Sequence, residues 1–216
     1  MRYLYTLLAA CLLPFLALSQ SNFKPGYAVS LNGDTLKGYI DYREWLNTPK
    51  TIRFKADING PEKKLSAADT KYFNVNNWES YGRYVGKISL DKNDEFFMLN
   101  ERDTTFRHDT VFVKILQQGP NMSLYSFSDR IKTRFYYSDK DSPEPQELVY
   151  RLYYDSNVVT MNKGRTVNES TYMKQLYNLA IKYNVLDDKL QRMIEELRYH
   201  KYYILKVVNK INGIKK

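Results

Sequence analysis

Apolar and polar residues alternate in short runs from residue 20 to about residue 161, and turn residues separate the runs. Successive side chains of a strand point to opposite faces, so this alternation is typical of strands that are buried on one side. Strands are predicted over residues 51–55, 71–75, 84–90, 95–99, 110–117, 122–127, 131–137, 147–154 and 158–161. Turns are predicted at residues 59–61, 91–94, 119–121 and 138–145. The pattern predicts an antiparallel meander, a small barrel or a sandwich.

The most specific local signal lies in residues 27–42, where two alternating runs flank Asn32-Gly33. Asn-Gly is the preferred dipeptide of a two-residue type I′ turn, because both turn positions need a positive φ. A two-residue loop pairs Val29 with Leu36. This register places six apolar side chains on one face of the hairpin: Tyr27, Val29, Leu31, Leu36, Ile40 and Tyr42.

From Asn168 onwards the apolar period becomes that of a helix. The first helix is expected to be capped by Asn168, Ser170 or Thr171. Asp187 is expected to cap the next helix. His200-Lys201 interrupts the apolar stripe, so a break is predicted there, and one helix over residues 188–212 is the alternative. The stripe is expected to pack on the β-rich module, and it consists of Leu190, Met193, Ile194, Leu197, Ile204, Val208 and Ile211.

The first 19 residues are predicted to be a secretory signal peptide. An apolar stretch follows Arg2, but it is shorter than the roughly 18 uninterrupted apolar residues that a spanning helix needs. Small residues at Ala17 and Ser19 predict a cut between Ser19 and Gln20. The alternative is a lipoprotein box over residues 8–11, which would lipidate Cys11. Both interpretations export the protein, to the periplasm, the outer membrane or the exterior.

The chain is therefore predicted to consist of a signal peptide (1–19), an antiparallel β-rich module (20–165) and a basic amphipathic helical segment (166–216) packed on the module. The fold class is mainly β with two or three C-terminal α-helices, which is an α+β arrangement. The composition agrees, since 20 Tyr and 10 Phe residues outnumber 9 Gly residues, and aromatic residues favour strands.

The formal net charge of +9 is concentrated near the C-terminus. Residues 171–216 contain ten Lys or Arg residues and four Asp or Glu residues. A basic amphipathic segment of this kind predicts peripheral contact with an anionic membrane. Export removes the protein from nucleic acid, so no nucleic-acid partner is expected.

Six parts of the sequence carry a resemblance: residues 23–27 (FKPGY), 31–43 (LNGDTLKGYIDYR), Trp45, 49–55, 148–151 and 172–179. Together they resemble a family of uncharacterised exported envelope proteins of Bacteroidota. In many members of that family this module precedes an outer-membrane β-barrel. The resemblance implies an envelope or exterior location and a β-rich module with a helical tail, and it implies no catalytic residue.

Two sets of candidate site residues follow. Asp34-Thr35-Leu36, Asp103-Thr104-Thr105 and Asp109-Thr110-Val111 resemble the short Asp-Thr-apolar O-glycosylation site of Bacteroidota, so Thr35, Thr104 and Thr110 are candidate acceptors. An aromatic binding surface for glycan or peptide is predicted from Tyr136, Tyr137, Tyr150, Tyr153 and Tyr154. The alternative is that these tyrosines are ordinary strand residues with packed rings and wet hydroxyls.

No catalytic, cofactor or metal signature is found. His108, with Asp103 and Asp109 nearby, is interpreted as the solvated end of a hairpin rather than as a catalytic base. Asp91, Asn93 and Glu95 resemble part of a calcium loop that lacks the usual glycine. The predicted function is a non-enzymatic binding or structural module whose partner is an unknown envelope protein or glycan. The alternatives are a hydrolase whose site is assembled from distant residues and a lipoprotein-like outer-membrane accessory subunit.

Overall fold

The computed structural model describes residues 22–93, 99, 101–160 and 163–214. The strands are β1 (Phe23–Ser30), β2 (Thr35–Asp41), β3 (Thr51–Lys55), β4 (Lys63–Ser66), β5 (Thr70–Val75), β6 (Glu79–Ser89), β7 (Phe106–Gln118), β8 (Met122–Ser128), β9 (Thr133–Asp139), β10 (Ser142–Glu147), β11 (Arg151–Thr160) and β12 (Lys163–Glu169). The helices are α1 (Thr171–Lys182), α2 (Asp188–Glu195) and α3 (Lys201–Ile211). The predicted α+β class is confirmed.

Ten strands form one antiparallel sheet in the order β10-β9-β8-β7-β6-β5-β1-β2-β3-β4, and β11 pairs with β12 in a separate ribbon. Of the three predicted arrangements, this order is that of a meander: β5 to β10 are sequential neighbours, and β1 joins them to β2, β3 and β4. Of the described helices, none is both long and apolar enough to span a membrane. The predicted signal peptide, including Cys11, lies outside the described residues.

Two predictions near β10 are wrong. The predicted turn over 138–145 contains the first part of β10, and the predicted strand over 147–154 is interrupted between Glu147 and Arg151. Pro143 and Pro145 have no N–H to donate, which is tolerated because β10 is an edge strand. The predicted strand over 95–99 lies almost entirely outside the described residues.

The predicted register of the first hairpin is wrong by one residue. Val29 pairs with Thr35 instead of Leu36. The Ser30 N–H donates to the Asp34 carbonyl (2.9 Å) and the Gly33 N–H donates to the Ser30 carbonyl (3.1 Å). The loop therefore has three residues, and Gly33, at φ 94°, occupies its left-handed position. This is the geometry of a turn followed by a glycine bulge, which places the positive φ at one residue instead of two.

The slip also moves the side chains of β1 to the other face relative to those of β2, because side chains alternate along a strand. Ala28 and Ile40 are buried in the core, whereas Tyr27 packs its ring against Tyr72 on the opposite face. Leu31, which was expected on the apolar face, is 48% exposed. A side chain at Gly26 would overlap the Asn74 carbonyl of β5 and approach Ile40, so this position of the buried face takes a glycine.

One row of paired residues crosses the buried face of six strands, which we call the front face. In the order β1, β5, β6, β7, β8 and β9, the row is Ala28, Phe73, Tyr81, Lys114, Ser126 and Phe135. Its two ends belong to two different apolar clusters, one formed by β1 to β7 and the other by β7 to β9 with the helices. The centre of the row is polar, and it lies between the two clusters.

The helices cover the β8–β9 end of the front face. Leu190, Ile194, Ile204 and Val208 are each no more than 2% exposed and belong to the cluster that includes Met122. Asp187 caps α2, since its carboxylate accepts the Leu190 N–H at 2.6 Å. A break separates α2 from α3 at the predicted position, and His200 precedes the first turn of α3.

Candidate binding groove

A groove of about 310 Å³ lies over the polar centre of the front-face row. We call it the front groove. Its floor consists of strand residues: Tyr81, Lys114, Leu116, Ser126, Ser128, Thr133 and Phe135. One wall is the β2–β3 loop with Trp45, Leu46 and Thr48, and the other wall is residues 199–201 at the start of α3. The lining therefore combines aromatic rings, hydroxyl groups and basic groups.

The loop wall is fixed at both ends. The Thr48 N–H donates to the Ser128 carbonyl (2.8 Å), and the Ser128 N–H donates to Thr48 Oγ1 (3.0 Å). The Trp45 ring meets the rings of Phe73 and Tyr81 edge-on, with centroids 6.1 and 5.8 Å apart. Leu46, between these anchors, is 94% exposed. An apolar side chain is thus held in solvent at the rim of the groove.

The helical wall is fixed by Tyr199. Its hydroxyl donates to the Leu148 carbonyl (2.9 Å) and accepts the Phe135 N–H (3.1 Å). Its ring stacks on Tyr150 at 4.8 Å and meets Tyr172 edge-on at 5.0 Å. The following residues, His200 and Lys201, are exposed and reach the groove. Burial raises the pKa of the Tyr199 phenol far above its ordinary value, so the phenol remains a donor at physiological pH.

The charges at the floor are paired. The Lys114 ammonium contacts the Glu79 carboxylate, and the Tyr81 hydroxyl donates to the other oxygen of Glu79 at 2.6 Å. Burial, with Glu79 nearby, raises the pKa of Tyr42 to about 12 and that of Tyr81 well beyond its ordinary value. Because Glu79 is held by two donors, it cannot act as a free base. The floor offers hydrogen-bonding groups to a ligand instead.

A second polar feature is a buried ionic cluster on the opposite face, which we call the back face. The Lys132 ammonium lies 2.7 Å from Asp91 Oδ2 and 3.9 Å from Glu147 Oε1. The Ser89 hydroxyl donates to Glu147 Oε1 at 2.6 Å. Arg134, with no exposed side-chain surface, donates through Nε to the Ser89 carbonyl at 2.8 Å. The cluster thereby fastens β6, β9 and β10 together.

The ionic cluster has the perturbed acid and base that catalytic sites often contain. Burial raises the pKa of the Glu147 carboxyl, and burial lowers the pKa of the Lys132 ammonium although Asp91 opposes the shift. Ser89 and Glu147 border a groove of about 310 Å³, but the Ser89 hydroxyl is bonded to Glu147 and the Lys132 ammonium is bonded to Asp91. Because these groups are paired with one another, we interpret the cluster as a contact that holds the strands together.

The predicted aromatic surface is not formed. Tyr136 is completely buried on the back face, where its ring packs against Tyr84. Tyr137, the next residue of β9, points to the front face, so the two neighbours cannot share a platform. Tyr150 packs within the helical cluster, against Tyr172 and Tyr199. Tyr153 and Tyr154 are half-buried on β11.

The predicted acceptor threonines lie in different settings. Thr35 and Thr104 are exposed, and Thr110 is half-buried within β7. Thr35 is the first residue of β2, and Thr104 immediately precedes another exposed residue, Thr105. O-glycosylation at these three positions stays a prediction.

The structure describes the residues of the histidine pattern and part of those of the calcium pattern. His108 is exposed on β7 and its ring meets the edge of Phe106, while the Asp109 carboxylate pairs with Arg107 at 3.0 Å. Asp91 Oδ2 is occupied by Lys132, and Glu95 lies outside the described residues. Within the described part of the chain, no group of three His, Cys, Asp or Glu side chains could hold a metal ion.

The sequence gives one signal for the front groove that the predictions missed. The β2–β3 loop places Trp45 and Leu46 side by side outside any strand, where large apolar residues need a partner or a function. The remaining lining comes from β6 to β9 and from α3, so only the folded sheet brings it together.

No family model, curated protein or solved structure matches this chain.

Proposed function

We propose that the chain is an exported, non-enzymatic binding module of the cell envelope and that the front groove binds a glycan. The observation that carries the proposal is the row across the front face, whose polar centre lies under a groove instead of under a packed cluster. The other members of that row belong to the two apolar clusters. The Lys114 side chain is 28% exposed in the groove, and a polar group that stays accessible within an otherwise buried face is suited to ligand binding.

The chemistry of the lining supports a glycan. Sugars present hydroxyl groups that both donate and accept, and they also present apolar C–H faces. Ser126, Ser128 and Thr133 supply hydroxyl groups, and Lys114 supplies a donor. Trp45 and the exposed Leu46 supply apolar surface at the rim. Binding sites typically combine apolar surface with a few polar groups of this kind.

Two sequence features support an exported location. The first 19 residues have the form of a signal peptide, and residues 23–55 resemble exported Bacteroidota proteins. N-terminal sequencing of the protein from its native envelope is expected to begin at Gln20. A lipid-modified Cys11 would instead support the lipoprotein-like alternative.

Affinity capture from a detergent extract of the native envelope tests the binding proposal. The bait would be the chain from Gln20 to Lys216, and before capture the extract would be treated with periodate, which destroys glycans, or with a protease that is then inactivated. We expect capture to be lost after periodate treatment of the extract. It should also fall at least tenfold for Leu46→Asp combined with Lys201→Glu, because both side chains are exposed at the groove.

The matched control is Ile181→Asp combined with Lys71→Glu, which makes the same changes at two exposed positions away from the groove. The control is expected to capture as much glycan as the unchanged protein. Capture that survives periodate but not protease would identify a protein ligand and contradict the glycan proposal. Equal losses for both double variants would show that the front groove is not the binding site.

A further inference from the structure

A second groove, of about 470 Å³, lies between α2 and α3. We call it the outer helical groove. Its lining includes Met193, Tyr202, Leu205 and Ile214, together with Lys189, Lys206 and Lys210. It shares no lining residue with the front groove.

The outer helical groove is on the side of the helices that faces away from the sheet. On α3, Ile204, Val207 and Val208 are completely buried against the sheet. Tyr202 and Lys206, on the opposite side of the same helix, are exposed. Met193 and Leu205 of the groove floor also pack against the helical core, whereas Tyr202 and the lysines are exposed on the outer side and can contact a ligand while the helices stay packed on the sheet.

The lining is amphipathic and has one sign of charge. Three lysines surround an apolar floor, and none of the lining residues is acidic. Tyr202 is 54% exposed, and the Lys206 ammonium lies 4.2 Å from the centroid of its ring. Tyrosine and lysine side chains both have an apolar body and a polar end, which suits them to the boundary between lipid headgroups and acyl chains.

We propose that the outer helical groove binds the surface of an anionic lipid bilayer. The lysines would contact the headgroup phosphates, while Tyr202 and the apolar floor would contact the outer part of the acyl chains. An acidic peptide would use the lysines but would leave the apolar floor without a matching surface, so the lining favours lipid. The proposal does not depend on a ligand in the front groove.

Sedimentation with phosphatidylglycerol vesicles tests the proposal. The protein would be residues 20–216, because the apolar first 19 residues could bind lipid by themselves. We expect binding at low salt that weakens as salt rises, since exposed charges more than about 10 Å apart are largely screened at 0.1 M salt. Replacing both Lys206 and Lys210 by Gln should weaken binding about 30-fold. Each lysine near an anionic surface contributes about 1 kcal/mol to the binding free energy, and the loss of both converts to this factor.

Two matched variants make the result specific. Lys63→Gln with Lys64→Gln removes the same charge from exposed positions on β4 and should leave binding within about twofold. Lys206→Arg with Lys210→Arg keeps the charge and should also bind. Equal loss in the β4 variant, equal binding to neutral phosphatidylcholine vesicles, or no binding to phosphatidylglycerol would each overturn the proposal. Near-ultraviolet circular dichroism verifies that each variant is folded.

Discussion

Asn212 joins the end of α3 to the turn between β7 and β8. Its Oδ1 accepts the N–H groups of Asn121 (3.1 Å) and Met122 (3.0 Å), and its Nδ2 donates to the Met122 carbonyl (3.0 Å). Asn212 is 6% exposed and Met122 is 1% exposed. One side chain therefore satisfies three backbone groups that the helices cover.

Replacing Asn212 by Ala leaves these three groups without their partner. A buried polar group left unsatisfied costs about 1–3 kcal/mol. Asn121 is only half-buried, so water can reach its N–H, and the larger part of the loss comes from the two groups of Met122. We expect the free energy of unfolding to fall by about 3 kcal/mol. Asn178→Ala, at an exposed position of α1, is the control and should change it by less than about 0.5 kcal/mol.

Gly119 allows the reasoning to be tested by a double-mutant cycle. A Cβ atom at Gly119 would overlap the side-chain amide of Asn212. Gly119→Ala should therefore displace that amide and break the same three hydrogen bonds, with a similar loss of about 3 kcal/mol. In the Asn212→Ala background the overlap is absent, so Gly119→Ala should have little further effect. The two changes are expected to be strongly non-additive.

Urea unfolding followed by near-ultraviolet circular dichroism measures all four proteins of the cycle. For a slope of about 2–3 kcal/mol per M, a loss of 3 kcal/mol lowers the midpoint by about 1–1.5 M. We expect the two single variants and the double variant to have similar urea midpoints, all well below that of the unchanged protein. Additive losses, or an Asn212→Ala midpoint equal to that of the Asn178→Ala control, would refute the account of this contact.

Two further predictions concern a turn and the alkaline limit of stability. Gly33→Val should lower the free energy of unfolding by about 1–2 kcal/mol, because a β-branched residue is forced to a positive φ. Gly33→Asn should lower the free energy of unfolding by less, since asparagine tolerates this conformation better. Equal urea midpoints for the two variants would contradict this. Burial raises the pKa of Tyr172 to about 12 from 10 and also raises that of Tyr136. As pH rises, these tyrosines lose their phenolic protons in the unfolded chain before they do so in the folded protein. The free energy of unfolding should therefore be unchanged below about pH 10 and should fall above it, by up to about 1.4 kcal/mol per pH unit for each such tyrosine. Absorbance at 295 nm should show these phenols ionising together with unfolding, and a gradual titration of every tyrosine near pH 10 in the folded protein would disagree.

Local signals predicted α2 and α3 well because each signal acts within a few residues, whereas Ser170 at the start of α1 makes no side-chain capping hydrogen bond. Asp187 caps α2 through a contact with Leu190, three residues away, and the polar pair His200-Lys201 marks a break that the helix geometry requires. Most strands were predicted for the same reason, since alternation is a property of neighbouring residues, but β4, β10 and β12 were not. Gly119-Pro120-Asn121 marks the turn between β7 and β8 in the same way.

Pairing and burial over long distances could not be predicted in this way. The hairpin places Gly26 against the Asn74 carbonyl of β5, a strand outside the hairpin, where any side chain would overlap. The sequence around Lys132 and Arg134 is typical of an exposed strand end, yet both side chains are buried. The Asp91 carboxylate pairs with the Lys132 ammonium, and the Ser89 carbonyl accepts a hydrogen bond from Arg134; both partners are more than 40 positions away. The alternation along β9 gave no sign that Tyr136 would be in the core, because apolar and aromatic residues there occupy both faces.

The front groove depends on the same long-range contacts that stabilise the fold. Its loop wall is bonded to Ser128 on β8, and its helical wall is bonded through Tyr199 to the Phe135 N–H on β9. β8 and β9 are adjacent strands. Both walls are therefore attached to the same pair of strands, which sets the distance between the walls before any ligand binds. A ligand would therefore not have to order the walls on binding, which reduces the entropic cost of association. It follows that changes that loosen the helices from the sheet, such as Asn212→Ala, should weaken ligand binding even though Asn212 lies outside the groove.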